Sequence, residues 1–464
     1  MPDIIPENRK WWVLLAIGTG TFMTALDTSV VNTVLPVIKN HFQSNIATVE
    51  WVVMIYLLLV SGLLPVFGRL GDLKGHKSIY LLGFFIFILS SVSCSLARSV
   101  YALIASRGIQ ALGAAMLSAN SPAIITKSFP SSQRGQALGM QATMTYLGLS
   151  VGPSLGGWLT ELFSWRTVFF INLPVGVIAF SLSTIFILND GLHSNTEGFD
   201  FSGAITLMCG LVSLLLGLNQ GHNWGWGSWQ TLLCIFSSIV LLGIFILLER
   251  RNPHPMLDLS LFTCPQFSFT VTSAILNYIC VYSSIFLLPF YLIQGRGFNA
   301  AQAGLYLTAQ PLVMAVIAPV SGTLSDKIGT RIPTTIGMGI MAVGLYFLSG
   351  IGPSTSIRIL LLYLVIFGLG IGIFISPNNS ALMGSAPKNR QGIAAGLLAT
   401  ARNVGMVLGI GLAGAIFNTT LGSHNPDNPA LLYPAIRYSY FATVIVAIIG
   451  VFISSIKNDR QTLS

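Results

Sequence analysis

The chain has 464 residues, of which 53% are hydrophobic and only 8% are charged, whereas a soluble domain carries roughly 25% charged residues. This composition excludes a soluble globular enzyme, a disordered protein and a disulfide scaffold, and it predicts an all-α protein that crosses a membrane many times. The net charge of +9 is not gathered into a basic stripe, and the five cysteines are scattered. We therefore predict no nucleic-acid partner, no metal site and no cofactor.

A helix needs about 20 apolar residues to cross a hydrocarbon core about 30 Å thick. Lys and Arg favour the cytoplasmic side of a membrane, and most of the 23 Lys and Arg residues fall on one side if both termini are cytoplasmic. We predict that orientation, in a plasma or inner membrane. Fourteen segments are apolar and long enough to span, with approximate bounds 11–37, 49–67, 79–97, 101–126, 137–160, 167–188, 201–218, 229–248, 267–293, 301–323, 333–351, 357–376, 393–417 and 435–456.

In the first span, Asp27 is the only acidic residue well inside any predicted span. A carboxylate in hydrocarbon is energetically costly, so an acid in this place indicates a functional site. We expect desolvation to favour the protonated carboxyl near neutral pH, so that the group either holds a proton or attracts a cationic substrate. Competition between the two is the simplest form of antiport. The alternative is a structural carboxylate that caps or pairs with a neighbouring helix.

In the fourth span, Arg107 shares a helical face with Gln110 and several small residues, an arrangement that suits the lining of a cavity. The alternative is a buried arginine that is hydrogen-bonded to backbone. A second intramembrane arginine, Arg402, lies in the thirteenth span. For Arg402 we favour a role in packing or in an interhelical hydrogen bond, with cavity electrostatics as the alternative.

The fifth span has a face without side chains, because Gly148, Gly152 and Gly156 are each four residues apart. Such a face allows another helix to approach closely. Pro153 removes one backbone hydrogen bond and favours a bend. We expect this helix to pack against a helix of the second half of the chain and to act as a hinge or seal.

The sequence contains an internal repeat. The loop 68–77 (GRLGDLKGHK) resembles the loop 322–331 (GTLSDKIGTR), and five glycines of the fifth span, Gly157 among them, align with five of the thirteenth at nearly the same spacing. The repeat predicts an N-terminal six-helix bundle at 1–188, a linker with two extra helices at 189–266 and a C-terminal six-helix bundle at 267–464. Parallel repeats of this kind place substrate near the midplane between the halves.

Five segments resemble motifs of the fourteen-helix drug:proton antiporter family of the major facilitator superfamily. The resemblance implies the major facilitator fold and a proton-coupled secondary active exporter of drugs, of the multidrug-efflux and antibiotic-resistance type, with no enzymatic activity. The segments are 26–36 (LDTSVVNTVLP) in the first helix, the loop 68–77, 107–113 (RGIQALG) in the fourth helix, 148–157 (GLSVGPSLGG) in the fifth, and 165–174 (WRTVFFINLP).

The resemblance also implies roles for individual residues. Asp27 would carry the coupling proton, and Arg107 would tune that acid or relay protons. Carboxylates in the two repeat loops would cap a helix N-terminus or pair with an arginine, and so favour closure on the cytoplasmic side. The predicted gating residues are Gly68, Asp72, Lys77, Gly148, Gly152, Pro153, Gly156, Gly157 and Asp326.

Substrate recognition is predicted only as a set of aromatic and amide side chains. A roomy apolar pocket with one acid suits lipophilic cations, with help from cation–π contacts, although for each residue taken alone packing or contact with lipid is the favoured explanation. The expected partners are small lipophilic molecules and membrane lipids, and the need for an accessory envelope protein stays open. The candidate cavity residues are Gln110, Gln141, Tyr146, Asn277, Tyr278, Tyr282, Phe286, Tyr306 and Gln310.

The alternatives to drug export are export of an endogenous metabolite or lipid, an intramembrane enzyme and a channel. Export of an endogenous metabolite or lipid stays open. An intramembrane enzyme is disfavoured, because the nucleophile-like pattern at 148–152 and the dinucleotide-like pattern at 409–414 lie inside apolar helices and both motifs require a strand that leads into a helix. A channel is disfavoured because the sequence shows no ring of like charges.

Overall fold

The structure is a computed structural model that describes residues 7–44, 46–189, 199–225, 227–252, 255, 259–298, 300–387, 390–421 and 429–456. Parts of the predicted 189–266 linker and both predicted cytoplasmic termini lie outside the described residues. Within the described ranges the regular structure is helical, and each predicted span is a helix. The all-α membrane fold is therefore confirmed.

We number the helices α1 to α14, one for each predicted span. Three of them contain an irregular turn: α6 changes at Ile171, α9 ends in a π-helical turn after Pro289, and α10 is interrupted at Thr308. The bounds are α1 Glu7–Phe42, α2 Ile46–Lys74, α3 His76–Ser95, α4 Val100–Ser128, α5 Arg134–Leu162, α6 Thr167–Phe170 and Asn172–Phe186, α7 Phe201–Trp224, α8 Trp229–Arg251, α9 Pro265–Pro289 and Phe290–Gly295, α10 Ala300–Leu307 and Ala309–Ile328, α11 Arg331–Ser349, α12 Ile357–Ser385, α13 Gln391–Leu421 and α14 Pro429–Ile456.

Thirteen helices of the described residues are both long enough and apolar enough to cross a membrane. The helix outside this group is α5, which at 29 residues has sufficient length but is rich in Gly, Thr and Gln. Its lower hydropathy is consistent with a helix that is covered by protein along much of its length.

The chain divides into two compact units. The first comprises residues 1–212, 238–259 and 386–400. Inside it α1 packs on α5 and α6, and α4 packs on α2 and α3. An apolar cluster fills the end of this unit where α1 finishes, with Val34 and Ile38 of α1, Leu103 of α4, and Trp165 and Phe169 beside α6. This cluster closes that end of the helix packing.

The second unit comprises residues 213–237, 260–385 and 401–464. Inside it α12 packs on α10 and α11, and α14 packs on α9 and α11. Helix α13 belongs to both units, because its residues up to Thr400 group with the first unit and the rest group with the second. The predicted boundaries at 188 and 266 stay a prediction.

The internal repeat is visible in the packing of each unit. A Cβ atom on Gly148 of α5 would meet the Phe22 carbonyl oxygen of α1 at 2.7 Å, and a Cβ atom on Gly405 of α13 would meet the Ile275 carbonyl oxygen of α9 at the same 2.7 Å. Gly148 and Gly405 therefore make equivalent contacts with the neighbouring helix. In this register Asp27 of α1 corresponds to Cys280 of α9.

Candidate functional site

Asp27 lies in the middle part of α1 and is almost fully buried, with a relative exposure of 1%. Its Oδ2 atom accepts a hydrogen bond of 2.6 Å from Nη1 of Arg107 on α4. Arg107 is itself fully buried. The acid and base that were singled out separately in the sequence thus form one ion pair inside the first unit.

Two amides complete the coordination of the carboxylate. The Nε2 atom of Gln110 on α4 donates to Oδ1 of Asp27 at 3.1 Å, and Nδ2 of Asn172 on α6 donates to the same oxygen at 2.7 Å. Both amides also donate to the Ser91 hydroxyl of α3, at 2.7 and 3.3 Å. The carboxylate therefore holds α1 to α4 and α6 through three donors, and α3 joins through Ser91.

The guanidinium of Arg107 has further partners. Its Nε atom donates to the Val52 carbonyl of α2 at 3.1 Å, and Nη1 also contacts Oε1 of Gln110 at 2.6 Å. The ring of Tyr56 lies 4.1 Å from its Cζ atom, a favourable cation–π distance. Its Nη2 atom makes no hydrogen bond to a described residue.

The arrangement stabilises the ionised carboxylate, since all three contacts to Asp27 are donors and one of them is charged. Protonation of Asp27 would remove the negative charge and leave Arg107 as a buried cation with neutral partners. A buried cation that loses its counter-ion is costly. Protonation of Asp27 would therefore weaken the contacts that join α1 to α4 and α6.

The glycine face of α5 lies beside Asp27. A Cβ atom on Gly148 would meet Ala25 and Leu26, and one on Gly152 would meet Ser29. The Ser29 hydroxyl also donates to the Gly148 carbonyl at 3.3 Å. The prediction that this face packs against a helix of the second half is wrong for Gly148 and Gly152. Both glycines pack against α1, which belongs to the same half of the chain.

The other members of the motif on α5 are less informative. Gly156 is buried, whereas Gly157 has open space where a Cβ atom would lie. The side chain of Pro153 lies outside the described residues. Gly157 therefore offers a control position on the same helix.

Asp72 lies in the last turn of α2, which extends into the predicted loop 68–77, and its carboxylate caps the start of α13. Its two oxygens accept hydrogen bonds from the backbone N–H groups of Gly392 and Ile393, at 2.9 and 3.0 Å. An anion at this place is favoured by both the free N–H groups and the helix dipole. Gly68 lies against the Gly392 backbone so closely that a Cβ atom would overlap it. The expected helix-capping contact is thus present within the first unit.

His76 supports this cap from α3. The imidazole is fully buried, with Nδ1 2.7 Å from Oδ1 of Asn120 and Nε2 3.4 Å from Oδ1 of Asp72. Lys77, the neighbouring predicted gating residue, instead donates to the Thr184 carbonyl near the end of α6 at 2.9 Å. Asp326, the counterpart of Asp72 in the second unit, is half-buried.

Of the nine predicted cavity residues, Gln110, Gln141 and Tyr146 belong to the first unit and the other six belong to the second. Gln110 belongs to the Asp27 network, and Gln141 of α5 lies 3.4 Å from the Thr21 hydroxyl of α1. The surroundings of the remaining residues are as follows: Tyr146 is buried, Asn277 points at the sulfurs of Met338 and Met341, Tyr278 is buried, Tyr282 is half-buried, Phe286 makes tilted and edge-on ring contacts with Phe290 and Phe417, Tyr306 contacts Phe298, and Gln310 is buried near Met314.

Sequence reasoning missed several members of the Asp27 network: Asn172, Ser91 and Tyr56. Asn172 lay inside the segment 165–174 that carried the family resemblance, but its spacing from Asp27 gave no reason to pair them. Small polar residues within apolar helices occur throughout the chain, so only the packing shows which of them meet.

The sequence of this chain matches a known protein family. The sequence profile described as the Major Facilitator Superfamily matches residues 17–410 and 270–461. The chain belongs to this superfamily. The family expected from the sequence motifs is therefore confirmed, and the protein is a multi-pass membrane transporter rather than an enzyme.

Three relatives indicate the functional range. The riboflavin transporter RibZ of Clostridioides difficile is 34% identical over 96% of this chain and 97% of its own length. The multidrug resistance protein Stp of Mycobacterium tuberculosis is 30% identical over 88% of this chain and 76% of its own. The tetracenomycin C resistance and export protein of Streptomyces glaucescens is 29% identical over 91% and 78%.

One solved structure supports the fold. The human organic anion transporter MFSD10 (TETRAN) superposes with a TM-score of 0.71, covering 97% of this chain and 100% of that chain. At 14% identity this similarity bears on the fold alone.

Proposed function

We propose that this major facilitator is a secondary active exporter that moves lipophilic drug-like compounds out of the cell in exchange for protons. The observation that carries the proposal is the buried Asp27–Arg107 pair, with its 2.6 Å contact inside a membrane-spanning bundle. Relatives named for multidrug resistance and for export of tetracenomycin C support the substrate class.

The proposed cycle exchanges partners at Asp27. With the ion pair intact, the carboxylate fastens α1 to α4 and α6. A proton that enters this site neutralises Asp27, frees the guanidinium of Arg107 and loosens α1 from those helices. Loss of the proton on the other side of the membrane restores the pair. One charge that moves through 100 mV yields about 2.3 kcal/mol, which is sufficient to bias such an exchange.

The gating proposal concerns the cytoplasmic side of the membrane. The distribution of Lys and Arg predicts that the two repeat segments and both termini lie on this side. The Asp72 cap on α13 would stabilise closure at this end, with Gly68 allowing the close contact. A plasma or inner membrane is the proposed location. A lipophilic cation would bind by competing with Arg107 for Asp27.

A second candidate is export of a flavin or another endogenous metabolite. The observation in its favour is the match to RibZ, since that riboflavin transporter aligns with nearly the whole chain at 34% identity. The proton site would serve this substrate in the same way, so the two candidates differ in cargo and not in coupling.

The test is uptake of tetramethylrhodamine methyl ester and of riboflavin into everted membrane vesicles with an imposed inward-acid pH gradient. Wild-type protein should accumulate one of the two when the gradient is present. Asp27→Asn should abolish this gradient-driven accumulation, whereas Glu161→Gln, at an exposed position of α5, should preserve it. Equal accumulation with and without the gradient would refute proton coupling.

A further inference from the structure

Arg402 carries an intramembrane positive charge that the Asp27 network does not use. It lies near the centre of the span Gln391–Phe417 of α13, and its side chain is half-buried. It makes no hydrogen bond or ion pair with the residues that the structure describes. A charge at this depth is costly and is retained where it faces a cavity or meets a partner.

The face of α13 that carries Arg402 is turned toward α9. Gly405 and Gly409 follow Arg402 at intervals of three and seven residues, so the three share one side of the helix. A Cβ atom on Gly405 would lie 2.7 Å from Cβ of Tyr278. The packing therefore places Arg402 at the α9–α13 contact, one turn from Tyr278.

Tyr282 extends the same side of α9 by one turn. The charge of Arg402 acts on the phenol groups of both Tyr278 and Tyr282. Neither phenol donates a hydrogen bond to a described residue. The guanidinium of Arg402 and the two phenol groups therefore lie within electrostatic range of one another, in a part of the second unit where Arg402 and Tyr282 are only half-buried.

The internal repeat shows that the scaffold does not need these side chains. In the equivalent contact of the first unit, Thr145 of α5 stands at the Arg402 position and Ala25 of α1 stands at the Tyr278 position. A Cβ atom on Gly148 and one on Gly405 would meet equivalent backbone atoms of the neighbouring helix, the carbonyl oxygens of Phe22 and Ile275. Arginine and tyrosine are therefore additions to a contact that forms without them.

The balance of charges within the described spans indicates that a ligand of Arg402 would be negatively charged. Asp27 and Arg107 neutralise each other, which leaves Arg402 as the uncompensated charge deep within the described spans. Arginine binds planar oxyanions through two parallel N–H donors, and phenol hydroxyls can donate to the remaining lone pairs.

We propose that Arg402, Tyr278 and Tyr282 form a subsite for an oxyanion group, a carboxylate or a similarly delocalised anion, on a substrate with an apolar aromatic body. The inference rests on the proposed export function and refines it: the cargo is an organic anion or zwitterion in place of a purely cationic drug. Arg402 would bind the anion while the apolar body lies among neighbouring aliphatic and aromatic side chains.

The test uses two dyes that differ in one group. Tetramethylrhodamine carries a free carboxylate, and its methyl ester does not. Binding of each dye to the purified full-length protein in detergent is measured by fluorescence polarisation. The wild type should bind the carboxylate dye more tightly than the ester. Arg402→Gln should weaken binding of the carboxylate dye by about 10- to 100-fold and leave the ester nearly unaffected.

Three variants sharpen the result. Arg402→Lys keeps the charge without the fork and should retain part of the preference. The paired change of Tyr278→Phe and Tyr282→Phe should cost about 3- to 30-fold for the carboxylate dye alone. Arg437→Gln removes an exposed arginine of the same unit and should change neither affinity.

The outcomes separate this inference from the proposed function. A wild type that binds the ester as tightly as the carboxylate dye, or binds neither, would overturn the subsite. So would an Arg402→Gln protein with unchanged preference or with a lowered melting temperature in the absence of dye, since the latter indicates a structural role. Loss of carboxylate preference in Arg402→Gln together with gradient-independent transport would keep the subsite and refute proton coupling.

Discussion

At the scale of single residues, the central feature is a carboxylate whose charge is matched inside the membrane. Asp27 and Arg107 are separated by 80 positions, yet their side chains meet at 2.6 Å with both fully buried. The sequence predicted that each was functional, because charges in hydrocarbon are rare. It did not predict the amide partners, since nothing in the spacing joins α1 to Asn172 of α6.

The pair predicts a pattern of stability in single and double variants. Arg107→Gln leaves the carboxylate buried without its counter-ion and should lower the free energy of unfolding by about 3–5 kcal/mol. Adding Asp27→Asn should recover most of that loss, because the double variant buries no charge. The measurement is thermal or denaturant unfolding of purified protein in detergent.

Exposed charges supply the control for this experiment. Glu161→Gln and Arg437→Gln, alone and together, should each change stability by less than about 1 kcal/mol. If the Asp27→Asn and Arg107→Gln double variant is as unstable as Arg107→Gln alone, the instability of Arg107→Gln does not come from an unpaired Asp27 carboxylate.

Asp72 gives a second residue-scale prediction. Asp72→Ala removes both hydrogen bonds to the start of α13 and should cost about 0.5–2 kcal/mol locally. Backbone amides at Gly392 and Ile393 should then exchange with solvent deuterium about 2- to 30-fold faster, as measured by hydrogen-exchange mass spectrometry. Asp72→Asn keeps an acceptor oxygen and should lie between wild type and Asp72→Ala. Unchanged exchange in Asp72→Ala would contradict the capping role.

At the scale of helices, α5 shows what a sequence pattern states and what it leaves open. The glycine spacing correctly indicated a close helix contact. The pattern describes one surface only, so it could not tell which helix covers that surface, and the expected partner in the second half was wrong for Gly148 and Gly152. In the structure α1 covers this surface: residues before Asp27 pack against Gly148 and residues after it pack against Gly152.

Two substitutions on α5 test this contact. Gly148→Ala would bring a methyl group to 2.7 Å from the Phe22 carbonyl oxygen, so α1 must move outward and carry Asp27 with it. We expect this variant to lose most gradient-driven transport and to unfold at lower temperature. Gly157→Ala, which has no atom within 4 Å of the new methyl group, should behave as wild type. Equal activity in both variants would show that the close approach is unimportant.

At the scale of the whole chain, the two halves share their packing and differ in their chemistry. The fourteen helices, their order and the repeat could be predicted from hydropathy and glycine spacing, because these patterns report on local helix formation and burial. Side-chain partners across helices could not, since they depend on how each helix is rotated. The register that places Asp27 in α1 places the buried Cys280 in α9.

This asymmetry yields a prediction for the second half. Cys280→Asp would bury a carboxylate that has no arginine in the position of Arg107, and it should destabilise the protein by about 3 kcal/mol or more. Cys280→Ser is close in size, retains a donor for the Thr443 carbonyl and should be tolerated. Unfolding temperatures of the two variants provide the comparison, and a stable Cys280→Asp protein would show that unit 2 can accept an acid at this site.

The most direct test of proton coupling is the proton released when substrate binds. Purified protein in weakly buffered detergent is mixed with a dye that the vesicle assay shows to be transported, and pyranine fluorescence reports the pH. Mixing is repeated at successively lower starting pH, so that the series includes protein in which Asp27 is protonated before the dye is added. If that proton and the cargo compete, wild-type protein should release protons on binding at the lower pH values, and Asp27→Asn should bind the dye with no release. The same release from both proteins would contradict the account, because the proton would then come from another group.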